Sequence, residues 1–406
     1  MKYIILIPDG ASDFPLDELD GKTPLEVANT PNMDKLAIKG FGGLTNNVPE
    51  GFTPGSDVAN MSIFGYDPNK YYTGRGPLEA GSMGIETSDN DVIFRCNLIT
   101  ENNGEIEDFN AGHISSEEAE ILINALNDYF NKNYPDFKGK FYPGISYRHL
   151  FVYDCGDNAN LLADLKTTPP HDIVGKSINK YTSWENGIPL TIKEIILDSK
   201  KCLESHEINK KRIANGKKPA NMVWLWGQGL TPSLPNFKET YGLDGAVITG
   251  VDLLKGIGVF AGLDIIDVPG ATGYFDTDYE AKGKAAINTL KDHDIVFIHV
   301  EAPDEAGHAH DYKEKIKAIE SIDKFILGPI LENIEDDYKI AILPDHPTPV
   351  PLGTHTVDDV PLIIYASNPY KEPDDVKAFN EKEVLNGSIP KRKGYDLINR
   401  LPNDDF

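Results

Sequence analysis

Hard metal ligands and one hydroxyl recur just downstream of apolar runs in this chain. Asp9 follows the run from Tyr3 to Ile7, Asp304 follows the run through Val300, and Asp345-His346 follows Ile340 to Leu343. His308 lies four residues after Asp304, so on one helical turn the carboxylate and the imidazole face the same side, a pairing that suits Zn²⁺ or Mn²⁺. His355 comes after Gly353-Thr354, which allow the loop beyond Asp345-His346 to fold back. Ser56 follows the Pro54-Gly55 turn at the start of a short helix, Asp57 to Phe64, closed by Gly65. Free N–H groups and the helix dipole favour a bound phosphate there. Taken singly, each aspartate reads equally well as a helix cap, and so does Ser56. Taken together they read as a two-metal phosphoryl-transfer site, with the serine as a nucleophile whose pKa a metal lowers.

Residues so far apart in sequence need a scaffold that gathers them. Continuous apolar runs separated by helical patterns predict parallel strands covered on both faces. In an open α/β sheet, ligands bind beyond the carboxyl ends of the strands, so three acidic residues at three such ends should share one crevice. Strand patterns appear at Tyr3 to Ile7, Met222 to Trp226, Ala246 to Thr249, Ile295 to Val300, Ile340 to Leu343 and Leu362 to Tyr365. Helical segments at Asp278 to Leu290 and Tyr312 to Leu327 alternate with the later strands. From Pro77 to Pro219 the pattern loosens, with a helix from Ser115 to Asn131 capped by Ser115 or Ser116. This stretch, 77–219, is expected to be a second domain inserted into a discontinuous one made of 1–76 and 220–406, with Gly and Pro marking both crossings.

Composition narrows the partners. The 406 residues exceed what one core usually spans, and 40% of them are hydrophobic. A formal charge of −25 and a pI near 4.7 argue against nucleic acid or an anionic membrane surface as the partner. An anionic substrate must then be held by local cations. Of the six arginines, Arg75, Arg95 and Arg148 fall in Gly-rich or apolar settings of the insertion, as bidentate anion clamps or as structural ion pairs. His299 lies within a strand and reads as a core histidine. Cys96, Cys155 and Cys202 are odd in number, without Cys-x-x-Cys spacing, which suits a reducing compartment. With no leader pattern and no apolar run of about eighteen residues, a cytoplasmic protein is expected.

These residues resemble the cofactor-independent phosphoglycerate mutases of the archaeal type, within the alkaline phosphatase superfamily. The resemblance covers nearly the whole chain. It rests on Ile7-Pro-Asp-Gly10, Pro54-Gly-Ser-Asp-Val-Ala-Asn60, Tyr72-Thr-Gly-Arg-Gly-Pro-Leu-Glu-Ala80, Phe94-Arg-Cys-Asn97, Asp304-Glu-Ala-Gly-His308 and Pro344-Asp-His346. It implies an α/β fold, an alkaline-phosphatase-like sheet sandwiched by helices, with an inserted smaller α+β domain that binds substrate. It also implies one metal on Asp9, Ser56, Asp345 and His346, a second on Asp304, His308 and His355, and a phosphoserine at Ser56. Mn²⁺ leads the expected metals, with Zn²⁺, Mg²⁺ and Co²⁺ compatible, and no 2,3-bisphosphoglycerate is required. The partner implied is a small phosphorylated metabolite, 2- or 3-phosphoglycerate. Lys255 matches by position a lysine that the wider family points at the phosphoryl group. Arg75, Arg95, His113, Arg148, His171 and Asp172 are the substrate-binding candidates.

The chain departs from that pattern. His113 stands where the family has arginine, Glu301 stands where lysine is frequent, and Pro170-His-Asp172 adds a titratable pair. Trp224-Leu-Trp-Gly-Gln228 and Val300-Glu-Ala-Pro-Asp304 resemble a branch proposed to act as homoserine kinases. Phosphoryl transfer to homoserine, or to water as in a phosphatase, is therefore the alternative reading.

Overall fold

The computed structural model describes residues 1–404 apart from 186 and 370. Among the described residues, thirteen strands are interspersed with helices: β1 (Lys2–Pro8), β2 (Phe41–Asn46), β3 (Asp91–Asn102), β4 (Glu105–Asp108), β5 (Gly139–Tyr142), β6 (Arg148–Asp154), β7 (Met222–Leu230), β8 (Gly245–Ile248), β9 (Asp264–Ile265), β10 (Ile295–Val300), β11 (Tyr338–Ile342), β12 (Val360–Ala366) and β13 (Ile389–Lys393). By contact they fall into two units, Met1–Tyr72 with Ser233–Phe406, and Thr73–Pro232. Each has its own apolar core.

The larger unit is built on an eight-stranded sheet in the order β13-β2-β12-β11-β1-β10-β8-β9. β1 lies at its centre, parallel to both β10 and β11. Ile4, Ile5, Leu6 and Ile7 of β1 are fully buried, as a strand covered on both faces requires. Removing each of these side chains from water is worth about 1.5–3 kcal/mol. β12 corrects the all-parallel expectation, because it runs antiparallel to β11 and to β2. The reversal has a consequence for the site. The 343–359 connection leaves β11 and re-enters the sheet at the same edge, so it never has to cross the sheet. β2 also ends at that edge, since Thr45 pairs with Val360 at the start of β12. The carboxyl ends of β1, β2, β10 and β11 therefore open on one side, and all four deliver a candidate loop there.

The smaller unit has a five-stranded antiparallel sheet, β4-β3-β6-β5 with β7 on the other flank of β3. The helix Ser116–Asn133 starts where the sequence predicts, with Ser115 accepting from the Glu118 N–H. Helix Gly187–Leu203 covers the sheet beside it. The Met222 to Trp226 run is thus a strand of this sheet and not of the larger one. An apolar run shows that a strand is buried but not which sheet it joins, so the 220 boundary moves to 232/233 and the 76 boundary to 72/73. Among the described residues, no helix is long and apolar enough to cross a membrane.

Candidate active site of the larger unit

Asp9 leaves β1, fully buried, with its N–H donating to the Val300 carbonyl at 3.0 Å. Its Oδ2 lies 3.4 Å from Ser56 Oγ. Ser56 is the first residue of the helix Ser56–Ile63, with Gly55 before it and no side-chain cap. Its hydroxyl is consequently not spent on the helix end. Instead Oγ stands 3.3 Å from His346 Nε2. Helical spacing places Asn60 one turn on, where its amide donates to the Ser56 carbonyl at 2.9 Å and to Asp345 Oδ2 at 2.8 Å. Asp345 Oδ1 accepts from the N–H groups of Gly10 at 3.1 Å and His346 at 2.8 Å. Asn47 holds the same loop by its backbone, donating to the carbonyls of Pro344 and Asp345. Gly10 has φ +62, and a Cβ there would sit 2.7 Å from the Asp304 Cα. The close approach of these two loops demands glycine.

The second half forms around Asp304 on the helix Ala302–His308. His308 Nε2 lies 3.2 Å from Asp304 Oδ2, His355 Nε2 lies 3.4 Å from Oδ1, and the two imidazole nitrogens are 2.9 Å apart. The outer ring nitrogens are anchored, His308 Nδ1 by the Gly353 carbonyl at 2.9 Å and His355 Nδ1 by that of Pro54 at 3.3 Å. Thr348 donates to Asp304 and also lies 3.3 Å from His346 Nδ1, joining the two halves. Metal-ligating imidazoles are oriented in this way by a partner on the other nitrogen.

Burial and neighbouring charge set the protonation of these groups. Burial, then Asp345, Glu301 and Asp304, push the Asp9 carboxyl well above its ordinary value. Burial also works against ionisation of Asp304, but His308 and His355 outweigh it and hold its pKa well below the usual range. The hydrogen bond to Asp304 raises His308 to about 9. Asp9 Oδ1 is buried without a hydrogen-bond partner. Donor atoms of Asp9, Asp345 and His346 converge within 4.8 Å, as do those of Asp304, His346 and His355. Carboxylates, imidazoles and a hydroxyl so arranged fit divalent cations.

Similarity to known proteins agrees with this chemistry. A family model for 2,3-bisphosphoglycerate-independent phosphoglycerate mutase matches residues 37–209. The protein named 2,3-bisphosphoglycerate-independent phosphoglycerate mutase 2 of Methanothermobacter thermautotrophicus is 53% identical over 98% of this chain and 96% of its own length. A mutase of the same name from Methanosarcina acetivorans is 52% identical over 99% of both. This chain belongs to that family. Among solved structures, a Pyrococcus horikoshii protein superposes with a TM-score of 0.84 at 32% identity, over 99% of this chain and 96% of its own. The cofactor-independent phosphoglycerate mutase of Thermoplasma acidophilum gives a TM-score of 0.68 at 27% identity over the full length of both.

In this mutase-family chain the remaining candidates are distributed unevenly. Within the smaller unit, Arg95 forms an ion pair with Glu79 at 3.1 Å and lays its guanidinium over the Trp226 ring at 4.3 Å. Arg75 and Arg148 act on the same carboxylate, yet burial still pushes Glu79 above its ordinary pKa. His171 packs edge-on to Trp226 at 5.7 Å and lies 3.8 Å from Asp172. Burial lowers the His171 pKa, Asp172 opposes, and Arg95 and Arg75 lower it further. These five residues therefore share one neighbourhood. His113 is exposed in a turn with φ 51, and it lies 3.3 Å from Asn110. Lys255, on the helix Asp252–Ala261 of the larger unit, reaches the exposed Asp267 at 3.9 Å, and among the described residues no ion pair links it to Ser56 or its neighbours.

Sequence reasoning missed several partners. Asn60 and Thr348 were legible only as spacings, four residues after Ser56 and two after His346. Glu79 and Trp226 lie in quoted motifs but were not read as partners of Arg95, to which Trp226 comes by strand pairing and Glu79 from the helix Arg75–Ser82. His299 is no ordinary core histidine: it is fully buried, its Nε2 lies 3.0 Å from Asp9 Oδ2, and that nitrogen makes no hydrogen bond.

Proposed function

We propose that this chain interconverts 2-phosphoglycerate and 3-phosphoglycerate through a phosphoserine at Ser56, without 2,3-bisphosphoglycerate. The observation that carries the reading is the uncapped Ser56 hydroxyl, 3.3 Å from His346 and 3.4 Å from Asp9 at a buried helix start. The relatives above are named phosphoglycerate mutases, which favours phosphoglycerate over homoserine or water as the acceptor. One cation would be held by Asp9, Ser56, Asp345 and His346, and the other by Asp304, His308 and His355. When bound, such cations lower the serine pKa and offset charge on the transferring group. Mn²⁺ is the first choice for this oxygen- and nitrogen-rich set, with Zn²⁺, Mg²⁺ and Co²⁺ as substitutes.

The chain's own groups supply the rest. Ser56 Oγ attacks phosphorus while Asp9 Oδ2 is placed to take its proton, and the bond from phosphorus to the glycerate oxygen breaks as that oxygen takes up a proton and leaves as a hydroxyl. Arg75, Arg95 and Arg148 of the smaller unit hold the carboxylate of the glycerate, with His171 and Asp172 beside them and Lys255 assigned to the phosphoryl group. The glycerate turns, and its other hydroxyl receives the group back from Ser56. Free hydrolysis is suppressed only while water is kept from the phosphoserine.

Phosphorus NMR on the Mn²⁺-loaded protein tests this directly. With 3-phosphoglycerate alone, 2-phosphoglycerate should form without added bisphosphoglycerate. Only inorganic phosphate would mark a phosphatase, and phosphohomoserine from homoserine with a phosphoryl donor would mark a kinase; either result rejects the mutase.

A further inference from the structure

In the smaller unit the pairing of β3 with β7 slips by one residue between Ile93 and Arg95. Ile93 pairs with Gly229 and Arg95 with Trp226, which leaves Gly227 and Gln228 together opposite Phe94. Gly227 has φ +58, the left-handed backbone that a bulge of this kind takes at its first residue. Without the extra residue Trp226 would face Cys96 and so point to the other side of the sheet from Arg95. The bulge therefore re-aims one side chain, and what it aims is an indole at a guanidinium.

The Arg95 guanidinium is engaged on two sides. Its Nε donates to Glu79, 3.2 Å from Oε2 and 3.1 Å from Oε1. Its plane lies over the Trp226 ring, 4.3 Å from the centroid. Among the described residues no partner meets Nη1 or Nη2. The edge left over is a two-nitrogen fork of the kind that matches a carboxylate. Burial disfavours the charge on Arg95, Glu79 supports it, and Arg75 and Arg148 repel it. A long flexible side chain repelled in this way swings aside unless it is restrained. Trp226 can restrain it because the indole is itself fixed. Its Nε1 donates to Asn97 Oδ1 at 3.0 Å, and Asn97 Nδ2 donates to the Phe109 carbonyl at 3.1 Å. His171 stands edge-on to Trp226 at 5.7 Å and to Phe109 at 6.0 Å.

We infer that Trp226 is a positioning residue for the reaction, holding Arg95 by a cation–π contact so that Nη1 and Nη2 stay presented to the glycerate carboxylate. A fork fixed beforehand loses less freedom when the anion binds, so the ring contributes pre-organisation and not a contact with substrate. Trp226 has this role only if Arg95 holds the glycerate, as proposed above. Its loss should then weaken substrate binding and leave the phosphoryl-transfer step alone.

Tryptophan analogues with successively more ring fluorines at position 226 keep the shape of the side chain while drawing electron density from its face, so the full chain should fold normally. KM for 3-phosphoglycerate should rise stepwise along the series, while kcat and the melting temperature hold. Trp226→Leu, which removes the contact altogether, should raise KM by about 3- to 30-fold. In an Arg95→Ala background the same changes should leave KM unmoved, because their effect passes through the guanidinium. A KM indifferent to fluorination, or one that rises by the same factor when Arg95 is absent, overturns the role of Trp226 and leaves the glycerate reading of Arg95 standing. If Arg95→Ala alone does not change KM, that reading fails and the role of Trp226 fails with it.

Discussion

The larger unit gathers acidic groups in a buried cluster, and the smaller one gathers basic groups around a half-buried ion pair, with Arg148, His171 and Asp172 exposed. Around Ser56 the backbone is fixed by Asn60, Asn47, Gly10 and Thr348, yet Asp9 keeps an oxygen with no partner. Around Trp226, Arg75, Arg95 and Arg148 all act on the Glu79 carboxylate, and Asp172 lies beside His171. Burying an imbalance of charge is expensive and is tolerated where a ligand completes it. In the function proposed above, cations complete the first region and the anionic glycerate completes the second. In a chain of formal charge −25, a local reversal of sign is also what lets an anion approach at all.

The strongest way to break the comparison is at its nucleophile. Ser56→Ala should lower kcat by about 10⁴-fold or more while leaving bound Mn²⁺ nearly unchanged, since Asp9, Asp345 and His346 remain. Near-normal turnover with full metal would take Ser56 out of the reaction and leave the acidic region a structural metal site. Asn60→Ala tests whether the scaffold matters as much as the ligands. Losing the amide that ties Ser56 to Asp345 should cost about 10- to 100-fold in activity or metal affinity. A variant with unchanged kcat and metal binding would show that Asn60 serves only the helix.

The basic region makes a different demand. Arg95→Ala should raise KM by about tenfold or more, the worth of one charged hydrogen bond, with a smaller change in kcat. If only thermal stability falls, Arg95 is a structural partner of Glu79, and the smaller unit has lost its claim on the glycerate carboxylate.

The sequence revealed these two regions to different degrees, and the cause is physical. Asp9, Asp304 and Asp345-His346 each follow an apolar strand whose end lies on one sheet edge, so the period and length of those runs were enough to foresee a common crevice, whereas Ser56 and His355 reach it from longer loops. Antiparallel β12 could not be foreseen, because an apolar run has the same composition in either direction. It nevertheless decides where His355 goes. In the smaller unit, Arg95, Glu79 and Trp226 meet through strand pairings and a helix whose register no local pattern encodes. His113 stands where the family has arginine, and it lies in an exposed left-handed turn. His299 was passed over because a histidine inside an apolar strand looks satisfied until its neighbours are known.

The smallest expected effect concerns stability and separates the units by their response to acid. His149, on β6, is buried; its Nδ1 accepts from the Gly144 N–H at 3.0 Å and its Nε2 has no partner. Burial pushes its pKa from 6.5 down to about 3. The unfolded chain therefore takes up a proton near pH 6.5 that the folded chain refuses until about pH 3, so stability falls as pH drops through that window and is fully present above it. Each pH unit below 6.5 costs about 1.4 kcal/mol, or roughly 2 kcal/mol by pH 5. All three tryptophans, Trp184, Trp224 and Trp226, lie within 73–232, so their fluorescence follows the smaller unit and not the carboxylates around Ser56. In urea titrations at pH 7.5 and 5, His149→Asn should lose less stability on acidification than the wild type by about that amount. Parallel losses in the two proteins would mean that His149 is protonated in the folded state, and the acid sensitivity of the smaller unit would then lie elsewhere than Glu79, whose raised pKa makes acid stabilising.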